Sequence, residues 1–150
     1  MKVLTIDPGG VTGLAEWMDG EFRSFEWGGG YRGFAQMWLL DMQSSRLTEY
    51  DCVVIEKFTI MASTLHKTRE YDALYIIGLV LSTCDFLGVH VMLQTPAQAK
   101  TFATDTKLKA LGWYDSSPGG HKNDATRHLV SFLARNDREF LRHLGEVTGA

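Results

Sequence analysis

The first apolar run of the chain ends in a carboxylate. Residues 2–6 read KVLTI, Asp7 follows directly, and Pro8 and Gly9 stop the run. A continuous apolar run of this length predicts a buried strand. A carboxylate at the tip of such a strand loses its hydration unless a positive partner meets it. This costly position indicates that the chain folds around a charged site at the end of the strand.

Two more acidic residues stand at the ends of predicted elements. Glu56 closes the apolar run at residues 52–55, and Asp124 opens a helical stretch just after a Gly-Gly-His sequence. The strands that end in Asp7 and Glu56 can lie side by side and parallel, joined by a helix. Their carboxyl ends then meet in one crevice, where α/β sheets bind ligands. The first turn of the later helix can reach the same crevice.

The residue types around this crevice favour a hard metal ion. His121 precedes Asp124 by three residues and therefore lies on the same helical face. Three carboxylates and one imidazole favour Mg²⁺ or Mn²⁺ over zinc. Two such ions, about 3.5–4 Å apart, could activate a water and stabilise the leaving oxygen of a phosphodiester. Taken singly, each residue also has a structural explanation: a turn for Asp7, a salt bridge for Glu56, helix-start charge for Asp124 and capping for His121.

Composition limits the class of protein. A length of 150 residues favours one domain, and 45% hydrophobic with 22% charged residues is ordinary for a soluble globular protein. Cys52 and Cys84 form no CxxC pair, which indicates free thiols in a reducing compartment. The chain shows neither a membrane-spanning apolar stretch nor a secretory signal pattern. We therefore expect a single cytoplasmic domain over residues 1–150, with no membrane partner.

Charge is distributed unevenly along the chain. Residues 1–56 carry a net charge of −5 and residues 57–150 carry +2, which gives −3 for the whole. An acidic centre beside basic flanks suits a metal-dependent enzyme that acts on a polyanion, whereas a solvated surface of mixed charge is the alternative. The candidate contacts to a nucleic-acid backbone are Lys57, Lys67, Arg69, Lys100, Lys107, Lys109 and Lys122.

The order of elements predicts an open mixed sheet with helices on both faces. Asp19 and Gly20 separate two alternating runs, which is typical of a tight hairpin. A Thr95–Pro96 pair predicts a helix start. The predicted strands are 2–7, 14–18, 21–27, 51–56 and a buried strand at 89–93; the helices are 31–48, 63–87, one from Thr95, and 121–133, with a polar tail from Arg135 that forms a further helical turn or frays.

Four segments resemble the RuvC-type Holliday junction resolvases of the ribonuclease H-like superfamily. They are VLTIDPG with TG at residues 3–13, VIE with Phe58 at residues 54–58, TPAQAK at residues 95–100, and GHKNDA at residues 120–125. Their order and spacing hold from residue 2 to about residue 134. The resemblance implies an α/β fold with a ribonuclease H-like mixed five-stranded sheet, in which a three-stranded antiparallel part continues into parallel strands and helices flank the sheet.

The resemblance also implies a function. It implies a homodimeric endonuclease that cuts branched DNA in recombination and repair, in the cytoplasm of a bacterial or phage-infected cell. Substrates are Holliday junctions, and also forks or flaps in divergent phage-type members. The implied ligands of two Mg²⁺ or Mn²⁺ ions are Asp7, Glu56, His121 and Asp124; Lys100 is the implied catalytic cation and Phe58 the implied base contact. The apolar helix at residues 71–81 is a candidate dimer surface, unless it packs on the sheet.

Two other functions remain open. A protein of the same fold could bind branched DNA without cutting it. A sugar-kinase or actin-like protein also begins its phosphate-binding hairpin with an acid and glycines. Such proteins use a second phosphate loop and an adenosine pocket, whereas this chain has one glycine-rich hairpin.

Overall fold

The computed structural model describes residues 1–58 and 71–149. In chain order, its elements are β1 (Lys2–Asp7), β2 (Thr12–Met18), β3 (Glu21–Trp27), α1 (Gly30–Gln43), a 3₁₀ helix (Arg46–Glu49), β4 (Cys52–Glu56), α2 (Asp72–Leu87), β5 (Val91–Gln94), α3 (Pro96–Phe102), α4 (Asp105–Ala110), α5 (His121–Asn136) and α6 (Arg138–Thr148). The sheet order is β3-β2-β1-β4-β5. Antiparallel pairs join β1, β2 and β3, and parallel pairs join β1, β4 and β5. The predicted mixed five-stranded sheet is confirmed.

Two hydrophobic cores lie on opposite faces of this sheet. Successive side chains of a strand point to opposite faces, so Val3 and Val54 pack with α3 to α6, whereas Leu4 and Val53 pack with α1 and α2. The same alternation turns the last residues of β1 and β4, which are the two acids, towards the α5 face.

Helix α5 is seated directly on the sheet and packs across β1, β2, β3 and β4. The buried hydroxyl of Thr5 donates a 2.7 Å hydrogen bond to the Ala125 carbonyl. At Gly13, a β-carbon would lie 2.0 Å from the carbonyl oxygen of His121 and 2.4 Å from its carbonyl carbon. Glycine is therefore required at this position of β2 for the first turn of α5 to approach the sheet.

The predicted hairpin and the start of α3 are confirmed. Asp19 and Gly20 both have positive φ, at 52° and 105°, as the two central residues of a type I′ turn require. Thr95 caps α3 and exchanges hydrogen bonds with Gln98 in a capping box.

Other element predictions are wrong in part. The helix predicted over 31–48 ends at Gln43, because Ser45 takes a left-handed conformation (φ 62°) before the 3₁₀ helix begins. The strand predicted as buried is the edge strand β5, in which Met92 and Leu93 are 37% and 46% exposed. An apolar run predicts a strand equally well at the edge or the centre of a sheet.

The helical content exceeds the prediction near the C-terminus. The polar tail forms α6, in which the Phe140 N–H donates to the capping side chain of Asp137 and the side chains of Phe140 and Leu144 are buried. Helix α4 follows the capping residue Thr104 and was not predicted. For the helix predicted over 63–87, the structure shows α2 beginning at Asp72. Residues 63–70 of that prediction lie outside the described residues. None of the described helices is long and apolar enough to cross a membrane.

The contact at Gly13 can be tested by one added methyl group. We expect Gly13→Ala to lower the free energy of unfolding by about 3 kcal/mol, because the new β-carbon overlaps backbone that cannot move without lifting α5. Urea denaturation measures this. Gly28→Ala is the control, because its φ is not positive and no described atom lies within 4 Å of a β-carbon there. Equal stability of the two variants would contradict the close approach of α5.

Candidate active site

A row of residues from four strands crosses one end of the sheet. Asp7 of β1 pairs with Gly13 of β2, and Glu56 of β4 pairs with Gln94 of β5. The parallel register of β1 and β4 sets Asp7 beside Glu56. The row forms because three of these strands end at the same level of the sheet.

Helix α5 lies over this row and adds the remaining predicted residues. His121 Nδ1 is 3.3 Å from Asp7 Oδ2. One turn further on, the Asp124 carboxylate is close enough to Asp7 to raise its pKa. The structure therefore brings the four predicted ligands, Asp7, Glu56, His121 and Asp124, to one region from three separate elements.

Asp7 is the least favourably placed of these acids. Its side chain is 13% exposed. Burial raises the pKa of the Asp7 carboxyl from its ordinary 3.8 to about 6; the Glu56 and Asp124 carboxylates contribute to the rise, and the hydrogen bond from His121 opposes it. Burial is the main reason that ionising Asp7 is unfavourable and the two neighbouring carboxylates add to it, so a cation bound there would favour the ionised carboxyl.

Side chains of α3 and α5 contact the other two acids. Glu56 Oε2 is 2.8 Å from His128 Nε2, and Asp124 pairs with Lys100 at 3.2 Å and with Arg127 at 2.7 Å. In these conformations, no three His, Cys, Asp or Glu side chains within residues 1–58 and 71–149 are gathered closely enough to hold a metal ion. Carboxylates influence one another's pKa over longer distances than the coordination bonds of about 2.1 Å that Mg²⁺ forms.

The donor set fits a hard divalent ion even so. Three carboxylates and an imidazole match the ligand preference of Mg²⁺ and Mn²⁺. The pKa of Asp7 is raised first by burial and second by the neighbouring Glu56 and Asp124 carboxylates. Binding a shared ion would require side-chain rotation, in which Asp124 exchanges its contacts to Lys100 and Arg127 for the ion.

Comparison with known proteins gives one clear relationship. No protein-family model and no curated protein sequence matches the chain. The structure of Thermus thermophilus RuvC in complex with a Holliday junction substrate superposes with a TM-score of 0.66 at 18% identity, covering 91% of this chain and 96% of that one. A second Thermus thermophilus RuvC structure superposes with a TM-score of 0.58 at 20% identity, with the same coverage. The chain has the RuvC fold.

On this RuvC fold, some of the predicted DNA-binding residues lie at the site. Lys100 is 55% exposed and contacts Asp124. Lys57 is exposed and follows Glu56 directly, and the half-buried Phe58 comes next. Of these residues, Lys100 contacts one of the acids directly, whereas Lys57 and Phe58 adjoin Glu56 in the chain. Lys67 and Arg69 lie outside the described residues.

The remaining predicted DNA-binding lysines have partners within the chain. Lys107 donates to the Phe102 carbonyl at 2.9 Å and lies over the ring of the same residue. Lys109 lies 4.7 Å from the ring centre of Tyr114. Lys122 forms an ion pair with Asp115, which raises the pKa of Lys122 and lowers that of Asp115.

Three residues that contact the acids or their partners were not predicted from the sequence. Arg127 and His128 follow Asp124 by three and four residues, so helical spacing alone places them on the same face. Gln94 ends β5 as Glu56 ends β4. The signal that was missed is a polar residue at the end of a third strand.

The raised pKa of Asp7 predicts a pH-dependent stability. Well below pH 3.8 the Asp7 carboxyl is neutral in both the folded and the unfolded chain. As the pH rises towards 6, the unfolded chain loses this proton first, so the free energy of unfolding falls. We expect Asp7→Asn to stabilise the metal-free protein by about 3 kcal/mol at pH 8, because that free energy corresponds to a pKa raised from 3.8 to about 6, and by little near pH 4. Urea unfolding in EDTA at both pH values measures the difference.

Asp85→Asn, at an exposed position of α2, is the matched control and should change stability little at either pH. A stability gain for Asp7→Asn that is the same near pH 4 as at pH 8 would show that charge at Asp7 is not the cause.

Proposed function

We propose that this protein is a divalent-metal-dependent endonuclease that hydrolyses phosphodiesters in branched DNA. The observation that carries the proposal is the meeting of Asp7, Glu56 and Asp124, from β1, β4 and α5, where the two neighbouring carboxylates help to raise the pKa of Asp7. The RuvC fold supports this assignment, since one of the similar RuvC structures contains a Holliday junction substrate.

Within this proposal, Asp7, Glu56, His121 and Asp124 would hold two Mg²⁺ or Mn²⁺ ions. Such ions would supply activation of a water and stabilisation of the leaving oxygen of a phosphodiester. The protein's own contribution is to position the carboxylates on rigid strand ends and on the first turn of a 16-residue helix. Both other carboxylates influence the pKa of Asp7, and Asp7 would be one of the residues that hold the ions.

In the proposal, Lys100 contacts a candidate metal ligand and also binds the DNA backbone. Its ammonium lies 3.2 Å from Asp124 in the free protein, and it is exposed enough to meet a phosphate of the substrate. The neighbouring Lys57 would contact the DNA backbone, which positions the substrate without reading its sequence. Phe58 would contact an unpaired base by stacking, as aromatic side chains do with single strands.

Homodimer formation through α2 is part of the proposal. One face of α2 packs in the core through Ile76 and Val80, as the alternative of packing on the sheet predicts for that face. The opposite face exposes Tyr75, Leu81 and Phe86 by 57%, 37% and 83%. Because the proposed interface contains Phe86, we expect the Phe86→Glu variant to sediment as a monomer and the wild-type protein as a dimer. A variant that still sediments as a dimer would place the interface elsewhere.

The nuclease activity can be tested on a panel of DNA structures. We expect cleavage of four-way junctions, forks or flaps, and none of linear duplex or single strand, in Mg²⁺ or Mn²⁺. Asp124→Asn should lower the cleavage rate about 1000-fold, because losing a metal ligand removes several kcal/mol of transition-state stabilisation. Gel electrophoresis of labelled strands measures the rates.

Glu146→Gln, at an exposed position of α6, is the control and should cut at the wild-type rate. A gel-shift assay in Ca²⁺ measures junction binding separately from cleavage. Wild-type protein that binds junctions but leaves them intact in both Mg²⁺ and Mn²⁺ would contradict the nuclease and favour the DNA-binding alternative.

A further inference from the structure

A buried histidine contacts the candidate metal ligand of β4. His128 is 1% exposed and lies one turn beyond Asp124 on α5. Both ring nitrogens have polar partners: Nε2 is 2.8 Å from Glu56 Oε2, and Nδ1 is 2.6 Å from Gln94 Oε1. A buried polar ring with both nitrogens engaged is held in one orientation.

The partner on the far side of the ring is itself fixed. Gln94 is 3% exposed, and its amide nitrogen donates to the hydroxyl of the fully buried Ser131 at 3.1 Å. With the amide nitrogen turned to Ser131, the amide oxygen faces His128, so Nδ1 donates the hydrogen bond. A chain of contacts therefore runs from Ser131 through Gln94 and His128 to the Glu56 carboxylate.

Glu56 needs such support more than Asp7 does. A glutamate has one more rotatable bond than an aspartate, and holding it in one conformation costs up to about 2 kcal/mol of side-chain entropy. Among the described residues, the hydrogen bond to Glu56 comes from His128 and uses Oε2. Within residues 1–58 and 71–149, no hydrogen bond engages the other oxygen, Oε1.

We propose that His128 is a positioning residue that holds the Glu56 carboxylate in the orientation for binding a divalent cation, with Gln94 and Ser131 fixing the ring from behind. This inference rests on the proposed function, because it takes Glu56 as a metal ligand. Partners of metal ligands typically contribute 10- to 100-fold to metal affinity or activity.

Two substitutions separate this role from simple packing. Glutamine at position 128 places its amide nitrogen near the position of Nε2 and can still donate to Glu56. Asparagine is shorter; its amide reaches the position of Nδ1 beside Gln94 and does not reach Glu56. Both side chains are polar and smaller than the ring, so the two variants lose similar packing.

We expect His128→Asn to weaken Mn²⁺ binding about 10- to 100-fold, measured by calorimetry on the full chain without DNA. Junction cleavage should show a lower kcat with KM unchanged within about threefold, because DNA contacts are kept. His128→Gln should recover Mn²⁺ binding to within about threefold of wild type. Thermal unfolding in EDTA should give the two variants similar stability.

A double-mutant comparison tests whether His128 acts through Glu56. In a Glu56→Gln background, adding His128→Asn should cause no further loss of Mn²⁺ affinity, because the group that His128 positions is already changed. Additive losses would overturn the inference.

The other outcomes also discriminate. If His128→Asn binds Mn²⁺ with wild-type affinity, or if the Asn and Gln variants lose equal affinity, the positioning role is overturned. In that case, cleavage of branched DNA by the wild-type protein still leaves the nuclease proposal intact. Wild-type protein that neither binds Mn²⁺ nor cuts branched DNA overturns the proposed function itself, whatever the variants do.

Discussion

Helix α5 and strand β2 meet through bare backbone, since the His121 carbonyl occupies the space of a β-carbon on Gly13. This contact sets the height of α5 above the sheet. At that height, His121 comes within hydrogen-bonding distance of Asp7, and two turns later His128 reaches Glu56. A larger residue in β2 would lift the helix and separate its side chains from the strand ends. The chemistry of the site therefore depends on a packing contact between two main chains.

The electrostatics of the site follow from the same packing. Seating α5 on the strand ends buries Asp7 beside two other carboxylates, which disfavours its ionised form. The chain offers ion-pair partners to Asp124, from Lys100 and Arg127, and these groups also bind phosphate well. A buried carboxyl beside two other carboxylates is stabilised in its ionised form by a cation that binds there. Under the proposed function, the burial that disfavours the ionised Asp7 in the free protein also serves cation binding, an opposition of stability and function that is common at active sites.

Local patterns accounted for much of the fold. The run before Asp7 and the Asp-Gly turn at residues 19–20 are short-range signals, and both elements are confirmed. The edge position of β5 had no such signal, because strand order is a long-range property. The full length of helix α6 was not predicted, because its buried residues, Phe140 and Leu144, form only a single pair four residues apart. Packing against α5 supplies the remaining stability of this helix.

By itself, the sequence determined that acids stand at the ends of β1 and β4 and at the start of α5, since apolar runs and Pro or Gly stops act over a few residues. Only the tertiary structure decided which groups meet those acids. His128 lies 72 residues from Glu56 and 34 from Gln94, and its contacts depend on the line that α5 takes across the sheet. That line is set by close packing at Gly13, which no local pattern encodes.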